Sequence, residues 1–194
     1  VVTEVGSGVD PAWLQRAVTL APLIPCMKCE SCRQGLYSAC KAYSFVGSRR
    51  AGGYAEYCAV PEECLIPMPE GLDFEVGAIL EPATVALHAI ERGDMHPGLS
   101  VAVLGAGSVG QYAVQWARIM GATTIVATDM ADANLAVAQR EGAAFTFNPL
   151  HDDVVASAVK ATSGGPDLVL EAVGSPETLM QAIGMVRPRG IIVC

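Results

Sequence analysis

Four cysteines stand close together in the first quarter of this chain, and their side chains could hold a metal ion. Two residues separate each of the first three and seven precede the last, which places them at Cys26, Cys29, Cys32 and Cys40. Thiolates in such a run bind zinc tetrahedrally on a tight loop and need no large core around them. The spacing therefore predicts a structural zinc site.

Disulfide bonds, an iron–sulfur cluster and four ordinary buried cysteines are the other possible uses of such a run. Disulfides need an oxidising compartment, but the sequence shows no signal peptide and has further cysteines at 58, 64 and 194. An iron–sulfur ferredoxin of similar spacing has a proline directly after its last cysteine, whereas Lys41 follows Cys40. These features favour zinc in a reduced, cytoplasmic protein.

A glycine-rich segment, Gly105-Ala106-Gly107-Ser108-Val109-Gly110, is the second feature that could do chemistry. The first glycine of such a motif permits a tight turn, the second lets a diphosphate approach the backbone, and the third allows close packing of helix on strand. The start of the following helix, at Ser108 and Val109, then holds the phosphates. The motif alone is weak evidence, because glycine turns also serve only to begin helices.

The surroundings of the glycine motif strengthen this interpretation. The motif follows a buried-strand run, opens a helix-like segment, and is followed by Asp129 at the end of the next strand-like run. A carboxylate at that place would accept hydrogen bonds from both hydroxyls of an adenosine ribose and would repel a 2′-phosphate. We therefore expect NAD rather than NADP. The alternative is that Asp129 is only a solvated loop acid.

The composition sets outer limits on function. Of the 194 residues, 52% are hydrophobic and 16% are charged, as in ordinary soluble globular proteins of one or two domains. A net charge of −8 argues against a nucleic-acid or anionic-membrane surface, because such surfaces need clustered Lys and Arg. No apolar stretch reaches the roughly 20 residues that span a bilayer. The mean hydropathy of +0.38 is therefore attributed to a buried sheet.

Two parts with different patterns must position these motifs. Residues 1–75 are rich in Pro and Cys, with short strand-like runs such as Tyr54–Val60, which predicts a small irregular β domain. Residues 76–97 carry apolar side chains at helical spacing and are predicted to bridge two domains. Residues 98–194 alternate strands and helices, which predicts an α/β domain with a doubly wound parallel sheet. Its predicted strands are Ser100–Leu104, Thr124–Thr128, Phe145–Phe147, Leu168–Leu170 and Ile191–Cys194.

A four-cysteine loop followed by a dinucleotide-binding motif resembles the zinc-containing medium-chain alcohol and polyol dehydrogenases, over the whole chain. The cysteine loop corresponds to their structural-zinc lobe, Gly52–Tyr57 to the strand after it, Glu81–Thr84 to the interdomain helix, and Glu171–Gly174 to the loop beside the nicotinamide. The resemblance implies part of a GroES-like β domain followed by a Rossmann domain. Tyr43–Arg50 is most similar to the galactitol-1-phosphate 5-dehydrogenase subfamily.

The resemblance implies hydride transfer between NAD and a secondary alcohol of a polyol or polyol phosphate, with a catalytic zinc that acidifies the alcohol. Glu81 matches one ligand of that zinc, and the family's other ligands, a cysteine and a His-Glu pair, are missing. Thr84, Val173 and Gly174 are expected beside the nicotinamide. The chain is expected to be a central fragment, ending before the last strand of its dinucleotide domain and without activity of its own. A homodimer or homotetramer is implied for the complete protein.

Phe45, Ser48 and Arg49 are the candidate substrate residues. Phe45 corresponds to a wall of the family's substrate pocket, and Ser48 and Arg49 could contact a substrate phosphate, since a guanidinium matches phosphate oxygens. Core packing of the aromatic ring and solvation of the arginine are the alternatives. Two other functions stay open: a dehydrogenase for sorbitol, threonine or another secondary alcohol, and a non-catalytic module that binds zinc and a nucleotide.

Overall fold

The computed structural model describes all 194 residues, which form two compact units, Val1–Glu81 and Pro82–Cys194. The boundary between the units falls inside a helix, directly before Pro82. Because proline has no N–H, this helix lacks the hydrogen bond that would reach back to the carbonyl of Ala78. None of the helices is both long and apolar enough to cross a bilayer.

The first unit is built from short strands, turns and short helical segments, and it ends within the long helix that begins at Phe74. Strand β1 (Val18–Leu20) pairs antiparallel with β4 (Leu65–Pro67), and β2 (Leu23–Ile24) pairs antiparallel with β3 (Ser44–Phe45). Helix α1 (Glu30–Arg33) lies between β2 and β3 in the chain. The prediction of an irregular β domain is confirmed.

One strand predicted for this unit is wrong, because Tyr54–Val60 forms no strand. The same correction applies to Gly52–Tyr57, which the family resemblance had also placed in a strand. The aromatic and β-branched residues of this run suit a strand, but strand propensity acts through packing and pairing with neighbours. Tyr54 and Tyr57 are instead exposed, at 112% and 76% of full accessibility. Local pattern without a pairing partner did not make a strand here.

The second unit is a parallel five-stranded sheet with helices on both faces, which confirms the predicted doubly wound fold. Its strands are β5 (Ser100–Leu104), β6 (Thr124–Thr128), β7 (Phe145–Phe147), β8 (Leu168–Glu171) and β9 (Ile191–Val193), in the spatial order β7-β6-β5-β8-β9. The helices are α2 (Phe74–Arg92), which contains the unit boundary, α3 (Ser108–Ile119), α4 (Asp132–Glu141), α5 (Val154–Ala161) and α6 (Pro176–Met185).

Alternate residues of each strand supply two separate cores, one on each face of the sheet. On one face, Val101 and Val103 of β5 pack in a cluster with Ile90 of α2 and Val114 of α3. On the other face, Ala102 and Leu104 pack with residues of α5 and α6, including Ala158, Ala182 and Met185. The three central strands β5, β6 and β8 are buried on both faces, as expected for a parallel sheet between two layers of helices.

The carboxyl ends of three strands meet at one edge of this sheet and position the glycine motif. Leu104 at the end of β5 is in register with Thr128 of β6 and with Glu171 of β8. Gly105, Asp129 and Ala172 therefore follow side by side. The chain leaves β5 towards β6 on one side, while β8 lies on the other, so this edge is the switch point where open α/β sheets bind ligands.

Candidate metal centre and dinucleotide site

The four cysteines predicted as ligands converge on one point. All four Sγ atoms lie within 4.8 Å of one another. The Sγ of Cys32 is 3.4 Å from that of Cys29 and 3.9 Å from that of Cys26. A tetrahedral zinc with Zn–S bonds of about 2.3 Å requires sulfurs about 3.8 Å apart. The arrangement fits one zinc ion bound by four thiolates.

Local backbone geometry brings the sulfurs together. Met27 adopts a left-handed conformation (φ 58°), which turns the chain between the first two cysteines. Cys29 and Cys32 stand at the start of α1 and within it. The backbone N–H of Cys26 donates to the Sγ of Cys40 at 3.3 Å, so the distant fourth cysteine is held by the first. Cys32 and Cys40 are buried, at 6% and 3% exposure.

The thiols stand in unequal electrostatic surroundings. Backbone N–H groups of Lys28 and Cys29 lower the pKa of Cys26 to about 6, and the backbone N–H of Cys32 lowers the pKa of Cys29. Burial raises the pKa of Cys32 to about 12. None of the seven cysteines forms a disulfide. A bound metal ion would favour the thiolate form of all four ligands, and this donor set is one that zinc prefers.

Glycine occupies the three positions of the dinucleotide motif for different structural reasons. Gly105 has φ +88°, and a Cβ there would lie 2.6 Å from a methyl of Val173. A Cβ on Gly110 would lie 1.9 Å from the carbonyl oxygen of Gly105. A Cβ on Gly107 would meet nothing within 4 Å. Packing and conformation explain the first and third glycines, whereas the second faces open space that a ligand can enter.

The N-terminus of α3 is prepared for an anion. Gly107 is its N-cap and offers no side chain to the first turn, whereas Asp153 caps α5 and Ser175 caps α6. The N–H groups of Ser108 and Val109 lack intrahelical partners, as at the start of any helix. Both residues are at least partly accessible. Unpaired N–H groups beside an open glycine fit a diphosphate.

Asp129 lies beside this turn, at the carboxyl end of β6, as predicted. Its Oδ2 accepts from the N–H of Ala106 at 2.8 Å, and its Oδ1 accepts from the N–H of Ala131 at 2.8 Å. A carboxylate oxygen can accept two hydrogen bonds, so each oxygen keeps capacity for a hydroxyl donor. The side chain is therefore fixed and can still bind the two hydroxyls of a ribose.

Glu171 holds the loop that follows β8 at this edge of the sheet. Its carboxylate accepts from the N–H groups of Val173 and Gly174 at 2.9 and 3.0 Å and from the hydroxyl of Thr178 at 2.8 Å. Burial acts to raise the pKa of Glu171, but these hydrogen bonds outweigh it and hold the pKa below its usual range. Val109 and Glu171 also line a cavity of about 440 Å³. Thr84 lies exposed on α2.

Two polar side chains at this edge make contacts that were not predicted from the sequence. Thr178 holds Glu171, and Gln111 donates from its Nε2 to the carbonyls of Ala106 and Asn134. The only signal in the sequence is a polar residue inside the first turn of a largely apolar helix. Which groups such a side chain reaches depends on how neighbouring elements pack, and the sequence does not give that.

Glu81, the predicted ligand of a catalytic zinc, lies on α2 at the end of the first unit. It is exposed and lines a cavity of about 320 Å³ together with Thr19, Met68, Phe74 and other residues of the first unit. Among all 194 residues, the four cysteines are the one group of three or more His, Cys, Asp or Glu side chains that could hold a metal. The residues of this chain do not by themselves form a second, catalytic zinc site.

The three candidate substrate residues lie together in one turn. The N–H groups of Ser48 and Arg49 donate to the carbonyl of Phe45 at 3.3 and 3.0 Å. The guanidinium of Arg49 stacks 3.9 Å above the ring of Tyr43 and donates to the carbonyl of that residue. Phe45 is half-buried, while Ser48 and Arg49 are exposed. None of the three lines the cavity beside Glu81.

Family models match most of this chain. Residues 1–70 match the alcohol dehydrogenase GroES-like domain, and residues 108–194 match the zinc-binding dehydrogenase family. The first match contains the cysteine cluster, and the second begins at the helix that follows the glycine turn.

Individual relatives give the same result. Galactitol 1-phosphate 5-dehydrogenase of Escherichia coli K12 is 37% identical over 96% of this chain and 54% of its own length. Sorbitol dehydrogenase of Bacillus subtilis 168 is 31% identical over 97% of this chain and 54% of its own. The crystal structure of a zinc-binding dehydrogenase from Sinorhizobium meliloti 1021, bound to NADP, is 33% identical with a TM-score of 0.92 and covers 99% of this chain and 57% of its own. The chain spans about half the length of these relatives and belongs to the zinc-binding alcohol and polyol dehydrogenase family.

Proposed function

We propose that the second unit binds NAD as the hydride acceptor of a dehydrogenase. The observation that carries this proposal is the Asp129 carboxylate, which two backbone N–H groups hold beside the glycine turn. A carboxylate at this place pairs with ribose hydroxyls and repels a 2′-phosphate. NAD is therefore expected to bind more tightly than NADP, and this expectation holds although a similar structure contains NADP.

Each part of the dinucleotide has proposed contacts among the residues of this chain. The diphosphate lies over Gly107 and accepts from the N–H groups of Ser108 and Val109, the ribose pairs with Asp129, and the nicotinamide lies near the loop that Glu171 braces. Gly105 and Gly110 shape the turn, and Thr84, Val173 and Gly174 are the proposed neighbours of the nicotinamide. When bound, NAD supplies an acceptor for the hydride of an alcohol carbon.

The proposed substrate is a polyol or polyol phosphate. The proposed reaction is of the type that converts galactitol 1-phosphate to tagatose 6-phosphate. Relatives named for galactitol 1-phosphate and for sorbitol support this class. Arg49 is the proposed phosphate contact, because its guanidinium is already fixed on Tyr43 and keeps further N–H donors for phosphate oxygens. Ser48 and Phe45 are its proposed companions. Sorbitol, threonine or another secondary alcohol is the alternative substrate.

The first unit is proposed to hold a structural zinc at Cys26, Cys29, Cys32 and Cys40. Glu81 is the proposed contribution of this chain to a catalytic zinc, but one carboxylate cannot hold that ion, since such sites use three protein ligands. We therefore expect the 194-residue chain to bind zinc and dinucleotide without turnover. The single metal-binding cluster also supports a second candidate, a non-catalytic module that binds zinc and a nucleotide.

The test combines metal analysis with dinucleotide titrations of the purified chain. We expect one zinc per chain and a Kd for NADH at least tenfold below that for NADPH, because the Asp129 charge opposes the 2′-phosphate. The matched variant Asp129→Asn removes the charge at nearly constant size and should lose most of this preference. Equal affinity for both nucleotides in the unmodified chain would contradict the NAD proposal, and turnover of a polyol by this chain would contradict the expected lack of activity.

A further inference from the structure

Gln111 joins the glycine turn to the start of α4 through one side-chain amide. It lies in the first turn of α3, directly after the glycine turn. Its Nε2 donates to the carbonyl of Ala106 at 2.8 Å and to the carbonyl of Asn134 at 2.8 Å. Ala106 belongs to the glycine turn and Asn134 to the first part of α4. Both N–H bonds of the amide are therefore used to connect these elements.

The Ala106 residue is held from both sides. Its carbonyl accepts from Gln111, and its N–H donates to the Asp129 carboxylate at 2.8 Å. The residue is almost completely buried, with 1% of its surface exposed. The glycine turn is thus fixed by two side chains from other positions, and neither contact requires a ligand. Such preorganisation lowers the cost of ordering a binding loop.

The orientation of the Gln111 amide is also determined. Its Oε1 is buried and has no hydrogen-bond partner. The reverse orientation would place Oε1 against two carbonyl oxygens, so the Nε2 must face them. A buried acceptor without a partner carries a desolvation cost. The amide therefore stabilises the protein only through its two donated hydrogen bonds. A side chain without an amide would lose those bonds and would also remove the desolvation cost of Oε1.

We propose that Gln111 is a positioning residue for the dinucleotide. It sets the spacing between the turn that holds the diphosphate and the β6–α4 segment that holds the adenosine ribose. It acts through the carbonyls of Ala106 and Asn134 and does not itself touch the ligand. This inference rests on the proposed function, because only a ligand that contacts both the glycine turn and the β6–α4 segment depends on the distance between them.

The test replaces Gln111 with methionine, which has similar length and no donor. The variant Gln111→Met should bind NADH about tenfold more weakly, whereas AMP, which carries a single phosphate, should weaken less than threefold. The thermal midpoint of the ligand-free protein should stay within about 2 °C, since the change removes a buried unpaired acceptor as well as two donated bonds. The control is Gln115→Met, the same change one turn later on α3, which should leave NADH binding unchanged.

The outcomes are distinguishable. Unchanged NADH affinity in Gln111→Met would overturn the positioning role while leaving the proposed function intact. Equal weakening of NADH and AMP, or a large fall in the thermal midpoint, would assign Gln111 a general structural role and overturn the inference as well. Failure of the unmodified chain to bind NADH would overturn the proposed function, and this inference with it.

Discussion

At the scale of single residues, the glycine motif separates packing from ligand binding. We expect Gly107→Ala to leave stability within about 0.5 kcal/mol of the original, because its Cβ would meet nothing within 4 Å. The added methyl would occupy the space proposed for the diphosphate. The affinity for NADH should therefore fall at least tenfold, which a fluorescence titration beside a thermal unfolding curve can measure.

Gly110 provides the matched control for this prediction. A Cβ there would lie 1.9 Å from the backbone oxygen of Gly105, which cannot move without distorting the turn. Gly110→Ala should destabilise the second unit by about 1–3 kcal/mol, as overpacking does. If Gly107→Ala binds NADH as well as the original protein, the open space at Gly107 is not where the diphosphate lies.

At the scale of elements, one carboxylate joins the starts of two neighbouring strands. Asp167, just before β8, accepts from the N–H and hydroxyl of Ser100 in β5 at 2.7 and 2.6 Å, and also from Arg187. Burial acts to raise the pKa of Asp167, but the bonds from Ser100 and Arg187 outweigh it and keep the pKa below its usual value. A lowered folded-state pKa means that this stabilisation is complete above the unfolded-state pKa and is lost as the pH falls through the folded one.

We therefore expect Asp167→Asn to lower the stability of the second unit at pH 7 and to weaken the dependence of that stability on pH in acid. The loss should be about 1.5–3 kcal/mol, the typical worth of hydrogen bonds to a charged group. Urea unfolding between pH 7 and pH 2.5 measures both effects. The free energies of unfolding of the variant and the original protein should converge most below about pH 4, near the unfolded-state pKa of aspartate. Glu177→Gln, an exposed acid of α6, is the control. Parallel curves for Asp167→Asn and the original protein would contradict this role of Asp167.

The elements also show how far sequence reasoning reaches. The strands β5, β6 and β7 have the predicted bounds, because their apolar patterns are local and Gly105, Asp129 and Asn148 follow them directly. The cysteine cluster formed because its ligands converge over a short loop. The run Tyr54–Val60 failed because pairing is decided by distant residues. The contacts of Gln111 and Thr178 were missed for the same reason, since they depend on how helices pack against the loops.

At the scale of the whole molecule, each compact unit has its own proposed ligand and its own tryptophan. Trp13 lies in the first unit and donates to Glu62 at 2.8 Å, while Trp116 lies in the second and donates to the carbonyl of Ala83 at 2.9 Å. Multi-domain chains often unfold in more than one step. A ligand that binds only one folded unit stabilises that unit by mass action. The two tryptophans can therefore report the two ligands separately.

We expect zinc and NADH to act on different unfolding transitions. In Trp116→Phe, where Trp13 reports the first unit, zinc chelation or Cys29→Ser should lower the midpoint, whereas Cys58→Ser, outside the cluster, should not. In Trp13→Phe, where Trp116 reports the second unit, chelation should have little effect, and NADH at 100 times its Kd should add about 2.7 kcal/mol. If either ligand shifts the unfolding midpoint reported by both tryptophans, the two units unfold as one. The helix that contains Pro82 would then couple them, and zinc bound to the first unit would stabilise the dinucleotide site as well.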